Sequence, residues 1–396
     1  MDNSNKKPII LVTSTYFAPG NNGGGTPRSL MNLFARTKDR YDYWLITGDR
    51  DPGGAEPYPG VALDCWRMID GIHVYYLSRG QATLSGWIDL ARSALPPYDL
   101  LYLNSFFSPR FSIWPLVLRK LGMISDGKPV LVAPRGELSP GALGVKRHKK
   151  MAYRFIASSL GLYRNLHWQA SSEQEADYIR NNMGSPKQIA VARDLSTKYS
   201  PLHSAKPVKS SGALRLVFLS RVSPVKNLDY LLDLLSKVNG AVEFDIYGPI
   251  ADEKYWQACL RKMVALPGHI KAQYRGSIPY TQITATLRAY DFFVLLSQGE
   301  NFGHAIWEAL TAGCPVLISD QTPWQSLDVH QAGWVVSLKN ENRIIQVLQA
   351  MVDMSDSDYC RLTRCVEEYV RQSEDEVEHI DAHHRMFSAV METRNR

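Results

Sequence analysis

Short, nearly continuous apolar runs recur along the chain, separated by longer polar or amphipathic stretches. Residues 8–12, 43–47, 72–77, 100–104, 129–133 and 167–170 have the length and character of strands buried on both faces. The segments between them are long enough for crossover helices, which predicts a parallel α/β sheet. A second series follows at 214–219, 242–247, 270–274, 291–296, 315–318 and 334–336. Between the series, residues 200–212 are rich in Ser, Pro and Lys and have no apolar period, so they read as a linker. The pattern predicts two α/β domains, 1–203 and 204–373, and a terminal helix at 374–396.

Composition agrees. A chain of 396 residues is long for one core and comfortable for two. Hydrophobic content of 45% and charged content of 21% describe a soluble globular protein. The net charge of +6 is too weak to argue for a nucleic-acid partner. Five scattered cysteines (65, 259, 314, 360, 365) show no zinc spacing and read as reduced thiols. Residues 1–7 are polar and 8–12 are too short for a signal-peptide core. The most apolar stretch, 100–124, is interrupted by Arg110, Arg119 and Lys120, so it does not span a bilayer. The expectation is a cytoplasmic protein, peripheral at most on the inner face of a membrane.

The chemistry concentrates at 295–324, where a strand, a Gly-containing loop, a helix and another strand follow each other. Two carboxylates, Glu300 and Glu308, bracket the start of that helix. The backbone N–H groups of Asn301, Phe302 and Gly303 are expected at the helix N-terminus, where free donors and the macrodipole favour an anion. Gly303 also allows close backbone approach. Carboxylate, anion cradle, carboxylate suits a nucleotide sugar, with hydroxyls at each end and diphosphate between. A second glycine cluster, at 20–25, opens a helix after the first strand, with Thr26 expected as N-cap and Pro27 at the first helical position. Gly24 and Gly25 are the candidate phosphate or sugar contacts there.

Glu300-Asn-Phe-Gly, then Glu308-Ala-Leu, then Ala312-Gly-Cys-Pro-Val resembles the Glu-x7-Glu signature of family 4 retaining glycosyltransferases. The resemblance implies a GT-B fold, two Rossmann-like domains facing each other across a cleft, with the last helix returning to the first domain. It implies that Glu300 meets the donor sugar and Glu308 the nucleotide ribose. Arg221 and Lys226, on the loop after strand 214–219, then hold the diphosphate. Asn227 replaces the family's Gly, a mild departure because Asn tolerates left-handed backbone. Gly248 and Ser277 lie in loops that contact the nucleotide, mostly through backbone. The loop 133–143 resembles the family's Pro-x-Gly-x-Leu loop with Arg135 at the variable position, a permanent cation suited to charge stabilisation or acceptor positioning. Pinning of the loop by Arg135 is the alternative.

The implied activity moves a sugar from a nucleoside diphosphate, UDP or GDP, to a hydroxyl of a glycan or lipid-linked glycan. It needs no catalytic base and no metal or other cofactor. The rivals are a nucleotide-sugar epimerase or hydrolase on the same fold, and a non-catalytic glycan-binding member. Asp49-Arg-Asp51 mimics a metal-binding motif of another glycosyltransferase class and reads as coincidence. The basic run 146–150, near Phe106 and Phe107, is a candidate contact with an anionic membrane surface. His379, His383 and His384 read as an exposed helix face, because a third metal ligand is lacking.

Overall fold

The apolar runs become strands that gather into two sheets, one in each of two compact units. Unit one comprises Met1–Leu195 and Glu376–Arg396, and unit two Ser196–Asp375. The computed structural model describes residues 6–20, 24–124, 127–144, 147–184, 186, 188–198, 206–373 and 377–393.

In unit one the strands are β1 (Ile9–Ser14), β2 (Asp42–Gly48), β3 (Trp66–Ile69), β4 (Ile72–Leu77), β5 (Leu100–Leu103), β6 (Val130–Val132), β7 (His167–Ala170) and β8 (Ile189–Val191). Their order is β3-β4-β2-β1-β5-β6-β7-β8. Ile10, Leu11 and Val12 of the central strand are fully buried, as a strand covered on both faces must be. The antiparallel strand β3 has no apolar run to announce it, because its residues are half-exposed or exposed. Its signal was Asp70-Gly71, a hairpin dipeptide: both residues have positive φ (50° and 84°), and Ile69 pairs with Ile72 across the turn.

Unit two has β9 (Ala213–Leu219), β10 (Ala241–Tyr247), β11 (Ile270–Gly276), β12 (Phe292–Leu295), β13 (Val316–Ser319) and β14 (Gly333–Val336). All are parallel, in the order β11-β10-β9-β12-β13-β14. The chain builds outward from β9 to β11, then returns to the other flank of β9 through β12. Strand order reverses between β9 and β12. Loops leaving the carboxyl ends there diverge, which is where sheets of this kind bind ligands.

Several local expectations change. Residues 200–205 of the expected linker lie outside the described residues, and the rest is built into unit two. Lys206 Nζ donates to Gly313 O and Tyr359 Oη, both at 2.8 Å, and to Tyr290 O at 3.2 Å. Lys209, 2% exposed, donates to Ser210 O, Ala213 O and Val352 O. Burial pushes both ammonium groups below the ordinary lysine range. Each ammonium spends three donors on fixed oxygens, which composition cannot reveal.

Thr26 is not the N-cap. The helix Gly25–Thr37 begins two residues earlier than expected, capped by Gly24 at φ 75°, ψ −151°, a conformation essentially reserved for glycine.

The last helix, Val377–Glu392, does not expose its histidines. His383 and His384 are buried with Met386, Phe387 and Val390. His383 Nε2 lies 3.0 Å from Arg193 O, and the Phe387 ring meets Tyr41 and Tyr102 edge-on.

Candidate active site

Neighbouring loops at the carboxyl edge of the unit-two sheet are tied together by backbone hydrogen bonds. Gly248 N donates to Gly276 O, Ser220 N to Tyr247 O and Val222 N to Pro249 O. Gln298 N donates to Val225 O at 2.8 Å and Glu300 N to Gln321 O at 3.1 Å. These bonds run from the end of β11 to the end of β13, so the rim has fixed geometry across the switch point. Gly248 is required by packing. At φ 130° its added Cβ would stand 2.0 Å from Ser220 O.

The loop after β9 makes one 3-10 turn, Pro224–Lys226, closed by Asn227 at φ 60°, ψ 33°. Asparagine occupies the left-handed position because its short polar side chain tolerates it. The turn directs Lys226 across the switch point, where Nζ donates to Glu300 Oε1 at 2.5 Å. Both side chains are mostly buried, 12% and 10% exposed. Arg221, on the same loop, is exposed and has no ion pair among the described residues.

Glu300 lies in the loop after β12, ahead of the helix His304–Thr311. Asn301, Phe302 and Gly303 also precede that helix, so the first-turn donors belong to His304 and the residues after it. Gly303 is the cap, in left-handed geometry at φ 80°. A Cβ there would come 2.8 Å from Ile306 Cδ1 and 3.3 Å from Trp324 Nε1. Phe302 is 4% exposed; its ring packs on Trp324 and its carbonyl accepts the Trp324 indole N–H at 2.5 Å. Asn301 is half-buried, and Glu308 is buried on the helix at 8% exposure. Ser277 is exposed and follows Gly276, whose φ is 79°.

One cluster escaped the sequence reading. Asp245 accepts Tyr290 Oη at 2.6 Å and pairs with Arg275 Nε at 3.0 Å, while Tyr247 Oη lies 3.0 Å from Tyr290 Oη. It braces the β11 end that leads to Ser277. Its faint signal was Asp245 and Tyr247 at alternate positions, hence on one face of β10.

Gly24, Gly25 and Arg135 belong to unit one. Gly24 and Gly25 are exposed at the helix start, and residues 21–23 of their cluster lie outside the described residues. Arg135 is 8% exposed and its nitrogens are engaged. Nε and Nη2 donate to Asn104 Oδ1, Nη2 to Tyr102 Oη, and Nη1 to Asp194. Arg135 and Gly136 both have positive φ, 54° and 79°. Gly136 N donates to Glu175, and the Glu137 carboxylate accepts Phe106 N and Phe107 N at 2.7 Å. Burial raises the Glu137 carboxyl pKa, and those N–H donors oppose the rise. Arg135 therefore pins its loop through side-chain bonds.

Asp49 is held on both oxygens by Arg50, and Asp51 accepts Tyr58 Oη. Among the described residues no group of three metal-ligating side chains converges.

Residues 201–361 match the family described as glycosyl transferases group 1. No curated relative matches the chain by sequence. Among solved structures, Anabaena HepE in complex with UDP-glucose is similar with a TM-score of 0.69 at 16% identity, over 96% of this chain and 99% of that one. Sucrose-phosphate synthase from Thermosynechococcus elongatus is similar with a TM-score of 0.70 at 15% identity, over 98% of this chain and all of that one. A glycosyltransferase from Rickettsia africae gives 0.65 at 13% identity, over 99% and 100%. These likenesses show the fold, which is GT-B, built of two Rossmann-like domains.

Proposed function

We propose that the protein is a retaining glycosyltransferase of family 4, moving a sugar from a UDP- or GDP-sugar to a hydroxyl of a glycan or lipid-linked glycan. The observation that carries this reading is the Lys226–Glu300 pair at the strand-order reversal of unit two, with Arg221 on the same loop. The match to glycosyl transferases group 1 spans this region, and the similar Anabaena structure holds UDP-glucose.

In the proposed reaction, the bond from the anomeric carbon to the diphosphate breaks and the acceptor oxygen bonds to the same face. The acceptor proton passes to a phosphate oxygen, so no protein base is required. Lys226 and Arg221 stabilise negative charge on the leaving diphosphate. Glu300 positions the sugar and stabilises positive charge at its anomeric carbon. Glu308 binds the ribose hydroxyls, and Gly248 and Ser277 line the nucleotide through backbone. Gly24 and Gly25 are assigned as contacts to phosphate or sugar, as the family's first loop is. Arg135 acts as a positioning residue, through the loop it pins.

The experiment is product analysis with a panel of UDP- and GDP-sugars and glycan acceptors, reading the anomeric configuration by NMR. Retained configuration in a new glycosidic bond is expected. An inverted product would sink the retaining assignment. Free sugar or an epimerised nucleotide sugar, with no transfer product, would replace the proposal with a hydrolase or epimerase.

A further inference from the structure

The geometry points to the helix Arg147–Ser159 of unit one as a docking face for an anionic lipid bilayer. One side of this helix packs inward: Ala157 is buried, and Lys150, Tyr153 and Arg154 are half-buried. Those four share one stripe of the helix. The opposite side carries Met151, Phe155 and Ile156 at 54%, 75% and 56% exposure. Leu160, just beyond the helix, and Leu121 are also more than half exposed. Their turns are neighbours, because Lys120 Nζ bonds to Leu160 O. A contiguous apolar surface of this kind marks an interaction site.

Charge identifies the partner. From 138 to 172 the sequence contains no Asp or Glu, while Arg147, Lys149, Lys150, Arg154 and Arg164 fall within it. Lys146, in the same run, lies outside the described residues. At about 100° per residue, Arg147 and Lys149 fall on opposite edges of the Met151–Phe155–Ile156 stripe. Apolar residues flanked by cations form the layout of a helix that lies in a membrane interface. Beside its first turn is a groove of about 420 Å³ lined by Leu143, Arg147, Lys150, Met151 and Arg154 among others, a space for a phosphate headgroup. A second copy of the chain docked symmetrically on this face would set its cations against their own likeness. Lys150 is better left out of any test, since it bonds Ala142 O and covers the Phe107 ring.

The test is cosedimentation of the full chain with phosphatidylcholine vesicles, with and without phosphatidylglycerol, at low and high salt. The unmodified chain should bind the anionic vesicles, and less so at high salt. Arg147→Gln/Lys149→Gln should lower the partition coefficient at low salt by about thirtyfold. Phe155→Gln/Ile156→Gln should lower it at least about tenfold at either salt. Both pairs are exposed, so unchanged melting temperatures confirm that folding is intact. Binding that ignores phosphatidylglycerol, or no binding by the unmodified chain, would overturn the inference. So would sedimentation velocity showing a dimer that Phe155→Gln/Ile156→Gln dissolves. The assay needs no activity, so its outcome stands apart from the transferase proposal.

Discussion

Lys226 and Glu300 are 74 residues apart in sequence, yet Nζ and Oε1 lie 2.5 Å apart. They meet because β9 and β12 are hydrogen-bonded neighbours, with Leu216 beside Phe292 and Val217 beside Phe293. Each residue sits on the loop leaving its strand's carboxyl end. In the proposed reaction, an entering diphosphate takes over Lys226 and leaves Glu300 facing the sugar.

The two glutamates are expected to separate kinetically. Glu300→Ala should lower kcat by about a hundredfold or more if it acts on developing charge. Glu308→Ala should mainly weaken donor binding, by about 10- to 150-fold for a lost charge-assisted pair of about 1.5–3 kcal/mol. Steady-state kinetics and calorimetric titration of the nucleoside diphosphate check this. Equal losses in the same parameter would refute the assigned roles.

Cationic side chains are expected to do the work of a divalent ion. Activity should survive excess chelator, and Lys226→Ala should lose at least about tenfold in kcat/KM, or about 1.4 kcal/mol. Added magnesium should not restore that variant. An enzyme silenced by chelator and revived by manganese would redirect attention to Asp49 and Asp51.

Gly248→Ala should be costly for two reasons that act together. Its φ of 130° disfavours any side chain, and the new Cβ would overlap Ser220 O. A loss of about 2–3 kcal/mol or more is expected, with weakened nucleotide binding as the loop carrying Lys226 shifts. Gly268→Ala is the control, since nothing lies within 4 Å of its added Cβ and it has no positive φ. Thermal melting of the two variants, with and without nucleotide, reads the difference; equal melting temperatures would refute it.

Stability should fall in mild acid through His383. Burial pushes its imidazole down to about 4, opposed by the Arg193 carbonyl and Asp194. The native state therefore stays neutral where the unfolded chain, with an ordinary pKa of about 6.5, already binds a proton. Stability is lost as pH drops below about 6.5, by about 2 kcal/mol at pH 5, and the loss levels off below about 4. His383→Gln should flatten that part of the profile in melting curves taken between pH 5 and 8. The smaller downward shifts of His167 and His384 have the same sign and should leave a residual slope. An unchanged slope in the variant would rule His383 out.

What could be read locally was read well, because its cause is local. Residues 72–77 match their strand to the residue, because Val74-Tyr-Tyr-Leu77 is a local apolar run of the kind a buried strand needs, and 167–170 matches too although it carries His167 and Gln169. Left-handed Asn227 follows from the chemistry of one side chain. The hairpin at Asp70-Gly71 is equally legible, because two adjacent residues with positive φ set it.

Tertiary structure alone decided the rest. Lys206 and Lys209 looked like solvated linker residues, and the His383 face looked exposed, because exposure depends on what distant elements cover. From sequence, Arg135 could equally face the acceptor or pin its loop, and Asn104, Tyr102 and Asp194 close around its guanidinium. The Lys226–Glu300 contact exists only through the strand order β10-β9-β12, which no window of sequence contains. Local chemistry along the chain sets which residue types stand ready and which turns present them. Long-range strand pairing determined which of them met, because only it brings residues far apart in the chain within bonding distance.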